Sequence, residues 1–213
     1  MNLIRIYILS CILFFTWLIG QGQTAGPGAS NIVFLVDVSN SMGRDNKMEL
    51  LKKSTEELCK VLNPKDRISL FTFGTNVELI YTTSSFPGPD SILKTISKIR
   101  STASATNINR GIYDAYEWSE KFKLPQGNHI LLITDGEFAL NPFTKELVKS
   151  KYTIIMTCVV IGKGPSAEKA VKYVTEELKL KVITLVNEEE DVKKLAELIK
   201  SEVIDIQHVT NKN

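Results

Sequence analysis

Residues 31–43 read NIVFLVDVSNSMG, an apolar run from Ile32 to Val36 that ends in Asp37, Ser39 and Ser41, an acid and two hydroxyls at alternate positions. The run is too short to cross a membrane and rich enough in β-branched residues to predict a strand buried on both faces. The polar triplet then falls just past the strand's carboxyl end, where the loops of an open α/β sheet form a crevice that takes ligands. Oxygen-only donors point to a hard divalent cation such as Mg²⁺ rather than to zinc or copper.

Downstream, strand-like and helix-like patterns alternate. Met48, Leu51, Thr55, Leu58 and Leu62 recur at steps of three and four and mark one face of a helix that ends before Pro64. Arg67 to Phe73 reads as a second strand. Asn76 to Tyr81 follows too soon for a parallel crossover, so this third strand is expected to be an antiparallel edge. A loop with Pro87 and Pro89 leads to a short helix with Asp90 as its expected N-cap. A helix over Asn107 to Phe122 is expected to bury Ile108, Ile112, Ala115 and Phe122. Strands follow at His129 to Thr134 and Thr153 to Ile161, with a helix near Thr144 to Lys149 between them. A helix over Ser166 to Leu180, a strand over Val182 to Val186 and a helix over Asp191 to Ile204 close the pattern. The alternation predicts an α/β fold: a doubly wound, three-layer, mostly parallel six-stranded sheet with one antiparallel edge strand.

With 213 residues and 43% hydrophobic content, the chain is expected to bury one core. A net charge of +2, with Lys and Glu interleaved along helical patterns, excludes nucleic acid and an anionic membrane surface as expected partners. The chain starts MNLIRIYILSCILFFTWLIG, one charge at Arg5 and then an uncharged stretch from Ile6 to Ile19. That is short for a span of about 20 residues and suits a signal-peptide core of about 7–15. Residues 1–22 therefore read as a signal peptide, with a retained N-terminal anchor as the alternative and the only expected link to a membrane. Residues 23–30 read as a linker, 31–205 as the domain and 206–213 as a flexible tail. The protein is expected to be exported: periplasmic, secreted or attached to the cell envelope. Cys59, in a predicted helix, and Cys158, in a predicted strand, read as inert core thiols with no disulfide. His129 and His208 have no ligand cluster at suitable spacing and read as structural or exposed. Trp118 reads as core and Glu137 as a solvated turn acid.

Two further segments carry chemistry. Thr106 lies in the stretch Ser104-Ala105-Thr106-Asn107, which opens the predicted helix 107–122. Asp135 follows the fourth predicted strand in Ile133-Thr134-Asp135-Gly136-Glu137. If the first and fourth strands are neighbours at the switch point, Asp37 and Asp135 face each other across it.

At these residues the chain resembles the von Willebrand factor A domain, from Asn31 to about Val203, and the stretches Asp37 to Met42 and Leu131 to Phe138 resemble bacterial members. The family's metal-ion-dependent adhesion site combines an Asp-x-Ser-x-Ser loop, a distant Thr and an Asp in a Thr-Asp-Gly turn; the matching residues here are Asp37, Ser39, Ser41, Thr106 and Asp135. Ser104-Ala105 stands where many relatives carry two glycines. The resemblance implies a bound Mg²⁺, with Mn²⁺ or Ca²⁺ as substitutes, touched directly by the two Ser hydroxyls and in one state by Thr106, the acids often acting through water. It implies a non-enzymatic adhesion or assembly domain whose metal takes an Asp or Glu carboxylate from a protein partner.

Two other functional readings compete. Asp37 at the end of a first strand could be the nucleophile of a Mg²⁺-dependent phosphatase of haloacid-dehalogenase-like type. That chemistry wants a second acid two positions on, where this chain has Ser39. The other is a scaffold of the same fold whose metal is purely structural.

Overall fold

The computed structural model describes residues 28–60, 62–101, 103–136, 138–150, 153–186, 190–194 and 197. The expected signal peptide, most of the linker, Glu137, His208 and the tail lie outside the described residues. So does most of the last expected helix, which is helical where described, at Glu190 to Lys194.

Six strands form one sheet in the order β3-β2-β1-β4-β5-β6. They are β1 (Asn31–Asp37), β2 (Arg67–Phe73), β3 (Val77–Thr83), β4 (Asn128–Thr134), β5 (Ile155–Ile161) and β6 (Lys181–Leu185). All pairings are parallel except β2 with β3. The helices are α1 (Lys47–Cys59), α2 (Pro89–Ile96), α3 (Ile108–Lys121), α4 (Pro142–Ser150) and α5 (Pro165–Lys172). Strand alternation sorts the core into two layers. Ile32, Phe34 and Val36 pack on one face of the sheet with Leu51 and Leu58 of α1 and Ile92 of α2. Val33 and Leu35 pack on the other with Ile112 and Ala115 of α3, Val148 of α4 and Ala170 of α5. Each Leu, Ile or Phe so buried contributes about 1.5–3 kcal/mol. The fold is thus the doubly wound, three-layer sheet with one antiparallel edge. Among the described residues no helix is long and apolar enough to cross a membrane.

Several local expectations are corrected. Asp90 is not the cap of α2: Gly88, at φ 115, precedes the helix, and Pro89 opens it. A proline's fixed φ and missing N–H suit the first helical position, leaving Asp90 in the first turn. Phe122 lies just past α3 and is half-buried, under the Arg67 guanidinium at 4.4 Å and against Trp118 at 4.5 Å. Strand β3 starts at Val77 and continues to Thr83, two residues further than the sequence suggests. Thr153 and Ile154 form a turn, so β5 begins at Ile155, opposite His129. The helix expected over Ser166 to Leu180 is α-helical only to Lys172; π-helical turns follow from Tyr173 to Leu178, and Lys179, at φ 57, ends them. Trp118 is half-buried rather than central, its ring edge-on to Phe71 and its Nε1 donating to Ser69 Oγ at 2.8 Å. Cys59 and Cys158 are free and buried, and burial pushes both thiols up to about 12. At that value neither is a nucleophile at neutral pH.

Candidate metal centre

The switch point lies between β1 and β4, the two central strands, whose register sets Val36 opposite Ile133. Asp37 and Asp135 therefore emerge at adjacent carboxyl ends, and both are buried.

Asp37 is the anchor of the loop that follows it. Its Oδ1 accepts the backbone N–H of Ser39 at 2.8 Å, and its Oδ2 accepts the hydroxyl of Thr134, the last residue of β4, also at 2.8 Å. Burial pushes the Asp37 carboxyl above the ordinary range; the Ser39 and Thr134 hydrogen bonds oppose the rise, and the charge of Asp135 adds to it. A short 3-10 turn, Asn40–Gly43, then brings Ser41 back over the strand ends. Ser41 Oγ donates to Asp135 Oδ1 at 2.9 Å and lies 3.0 Å from Ser39 Oγ. A hydroxyl carries one proton, so Ser39 is the donor between the two serines. The second oxygen of Asp135 accepts from Lys47 Nζ at 2.6 Å.

Thr106 stands apart. It is exposed and makes no hydrogen bond to the other four residues among the described ones. Its loop is nevertheless stitched beside theirs: Asn40 N–H donates to Ala103 O at 3.0 Å, Ala103 N–H to Val38 O at 3.1 Å, and Asn107 N–H to Gly74 O at 2.7 Å. Gly74 is required for this approach, since a Cβ there would stand 2.3 Å from that of Ala103. Ser104 and Ala105, in place of two glycines, form an exposed bend that these bonds frame.

Sequence reasoning missed Thr134 and Lys47. Thr134 adjoins Asp135 at a strand end, a signal that becomes usable only once β1 and β4 are neighbours. Lys47 could have been noticed as a cation in the first turn of a helix, where the macrodipole disfavours it.

Among the described residues no three His, Cys, Asp or Glu side chains cluster as a metal site. The donors here are two carboxylates and two hydroxyls, and a cationic ammonium already sits on one of the carboxylates. That set fits a hard divalent ion: the two acids balance its charge, and neutral hydroxyls leave it electrophilic. Asp37, Ser39, Ser41 and Asp135 are the residues that would hold it.

The comparisons agree with this architecture. Residues 32–137 match the family model of the von Willebrand factor type A domain. The uncharacterized protein YfbK of Escherichia coli (strain K12) is 34% identical over 143 residues, covering 65% of this chain and 25% of that protein. The present chain thus corresponds to a quarter of the length of that curated relative. A von Willebrand factor type A protein from Catenulispora acidiphila superposes with a TM-score of 0.65 at 16% identity, over 84% of this chain and 43% of that one. Proximal thread matrix protein 1 from the mussel byssus, solved with zinc in its metal-ion-dependent adhesion motif, superposes with a TM-score of 0.61 at 18% identity, over 83% of this chain and 46% of that one. With the sheet order, the buried strand ends and the match over 32–137, the chain carries a von Willebrand factor type A domain.

Proposed function

We propose that the chain is an exported, divalent-metal-dependent protein-binding domain that engages a partner's Asp or Glu carboxylate through a bound metal ion. Domains of this family mediate protein–protein interactions, often with a divalent ion at the adhesion motif, and are in general adhesion or scaffold modules rather than enzymes. The observation that carries the reading for this chain is the hydrogen-bonded line Ser39, Ser41, Asp135 at the end of β4, with Asp37 holding the loop from below. Mg²⁺ is the expected ion, because every donor is a hard oxygen. Thr106, exposed at the rim, joins when a partner engages. The phosphatase reading lacks its acid: two positions after Asp37 stands a serine that donates to another serine. Residues 31–205 form the binding domain, with 1–22 as its export signal, 23–30 as a linker and 206–213 as a tail.

Calorimetric titration of the full chain with MgCl₂, MnCl₂ and CaCl₂ tests the metal, and pull-down from an envelope extract with Mg²⁺ or with chelator tests the partner. Binding of a divalent ion and chelator-sensitive capture are the expected results. Lack of ion binding at millimolar concentration would sink the assignment. Capture that survives chelator and survives changing the partner's exposed acid to its amide would place recognition elsewhere.

A further inference from the structure

Lys47 is at odds with its local setting. It is the first residue of α1, where the helix's positive end opposes a cation, and its N-cap Asn46 makes no side-chain capping bond. The two residues before it, Asp45 and Asn46, both take left-handed backbone conformations, at φ 53 and 57. Such consecutive left-handed residues are costly outside glycine and persist where the surroundings hold them.

What holds Lys47 is the candidate metal centre. Its Nζ lies 2.6 Å from Asp135 Oδ2 and 3.4 Å from the carbonyl oxygen of Ser41, with the Lys47 side chain 15% exposed and that of Asp135 2% exposed. Its stem runs over Gly162, just past β5, where a Cβ would stand 3.2 Å from Lys47 Cε. The ammonium therefore comes down on the strand ends from the α1 side, onto the acid that Ser41 already touches.

Resting on the metal-site reading above, we infer that Lys47 is a tethered cation that competes with the divalent metal for Asp135, so that metal binding displaces it. Metal-free, the ammonium balances the buried carboxylate and keeps the strand ends assembled. With Asp37 and Asp135 alone balancing a divalent ion, an ammonium on the same carboxylate leaves the unpartnered site at a net positive charge, so the two cations repel and each weakens the other's hold on Asp135. Coupling of this kind is reciprocal: whatever the Lys47–Asp135 pair contributes to the metal-free state is subtracted from metal affinity. The domain is thus tuned to load metal weakly and to keep its fold without it.

The test is titration of MgCl₂ into the full chain and its Lys47→Met and Lys47→Arg variants, with melting curves in chelator and in excess Mg²⁺. Methionine keeps the stem over Gly162 and removes the charge; arginine keeps the charge. The expected result is about fivefold or greater tightening of Mg²⁺ binding in Lys47→Met, with Lys47→Arg close to the parent. In chelator Lys47→Met should melt below the parent, and excess Mg²⁺ should close or reverse the difference. Binding seen only in Lys47→Met would keep the competition, with Lys47 as the resident cation, and would overturn the proposed metal-dependent function of the parent chain. Equal or weaker binding in Lys47→Met, with the parent still binding, would overturn the inference and leave the proposed function standing. Absence of binding in all three would overturn both.

Discussion

The Thr134 hydroxyl donates to Asp37 Oδ2 at 2.8 Å, joining the last residue of β4 to the last residue of β1 across 97 positions of sequence. Asp37 in turn accepts the Ser39 N–H through its other oxygen, so the acid is satisfied on both sides before any ligand arrives. Asp37 thus fixes the start of the loop, with Ser39, Ser41 and Asp135 hydrogen-bonded in line beside it.

Thr134→Val keeps the shape and removes the donor, leaving a buried carboxylate oxygen without its partner. The expected cost is about 1–3 kcal/mol of stability, read by urea denaturation. Mg²⁺ affinity should fall by about 10–100-fold, because the bond orients Asp37. Thr134→Ser, which keeps the hydroxyl, should recover most of both losses.

Burial raises the Asp37 carboxyl above its ordinary range, so the folded protein holds that proton more tightly than the unfolded chain does. The sign follows: below the ordinary carboxylate value the group is neutral in both states and costs nothing, and its penalty grows as pH rises through the folded value. In chelator at neutral pH, Asp37→Asn should therefore be more stable than the parent, by about 0.5–2 kcal/mol. The gain should vanish as the pH is lowered through the carboxylate range. The Mg²⁺-induced rise in melting temperature should be lost in the variant, because the stabilisation depends on binding to the native state. A variant that melts lower than the parent in chelator would contradict the argument.

Thr106 is exposed and unbonded to the other four residues, so Thr106→Ala should change folding stability by no more than about 0.5 kcal/mol. Partner binding should weaken in this variant while Mg²⁺ affinity of the unpartnered chain stays nearly constant. Gly74→Leu provides the contrast, because a side chain there collides with Ala103 and displaces the whole Thr106 loop. It should cost about 1–3 kcal/mol by denaturation and weaken partner capture together with stability.

The apolar stretch Ile6 to Ile19 and the small residues Gly20 and Gly22 place the expected start of the mature chain between Gly20 and Gly26. Intact-mass measurement of the protein from its native host checks this directly. An uncleaved N-terminus in the membrane fraction would establish an anchor instead.

The continuous apolar runs at Ile32 to Val36 and Ile130 to Ile133 determined that these strands are buried on both faces, because successive side chains point to opposite sides of a strand, and the alternation of strand and helix patterns along the chain determined a mostly parallel sheet. The brevity of Gly74 to Asn76 likewise determined an antiparallel edge, since no crossover fits in it. Ser39 and Ser41 were legible beside Asp37 for the same reason: three polar residues at period two after a strand have few places to go. Capping was less legible, since Gly88 and Pro89 compete locally with Asp90 and only the packed helix shows which of them opens it. What only the tertiary structure decided are the pairs made through space. Thr134 reaches Asp37 because β4 lies beside β1 in that register, and Lys47 reaches Asp135 because two left-handed residues aim α1 at the strand ends. Neither pair leaves a periodic trace in the chain, because hydrophobic pattern follows the backbone of one segment, whereas a hydrogen bond or ion pair follows the relative placement of two.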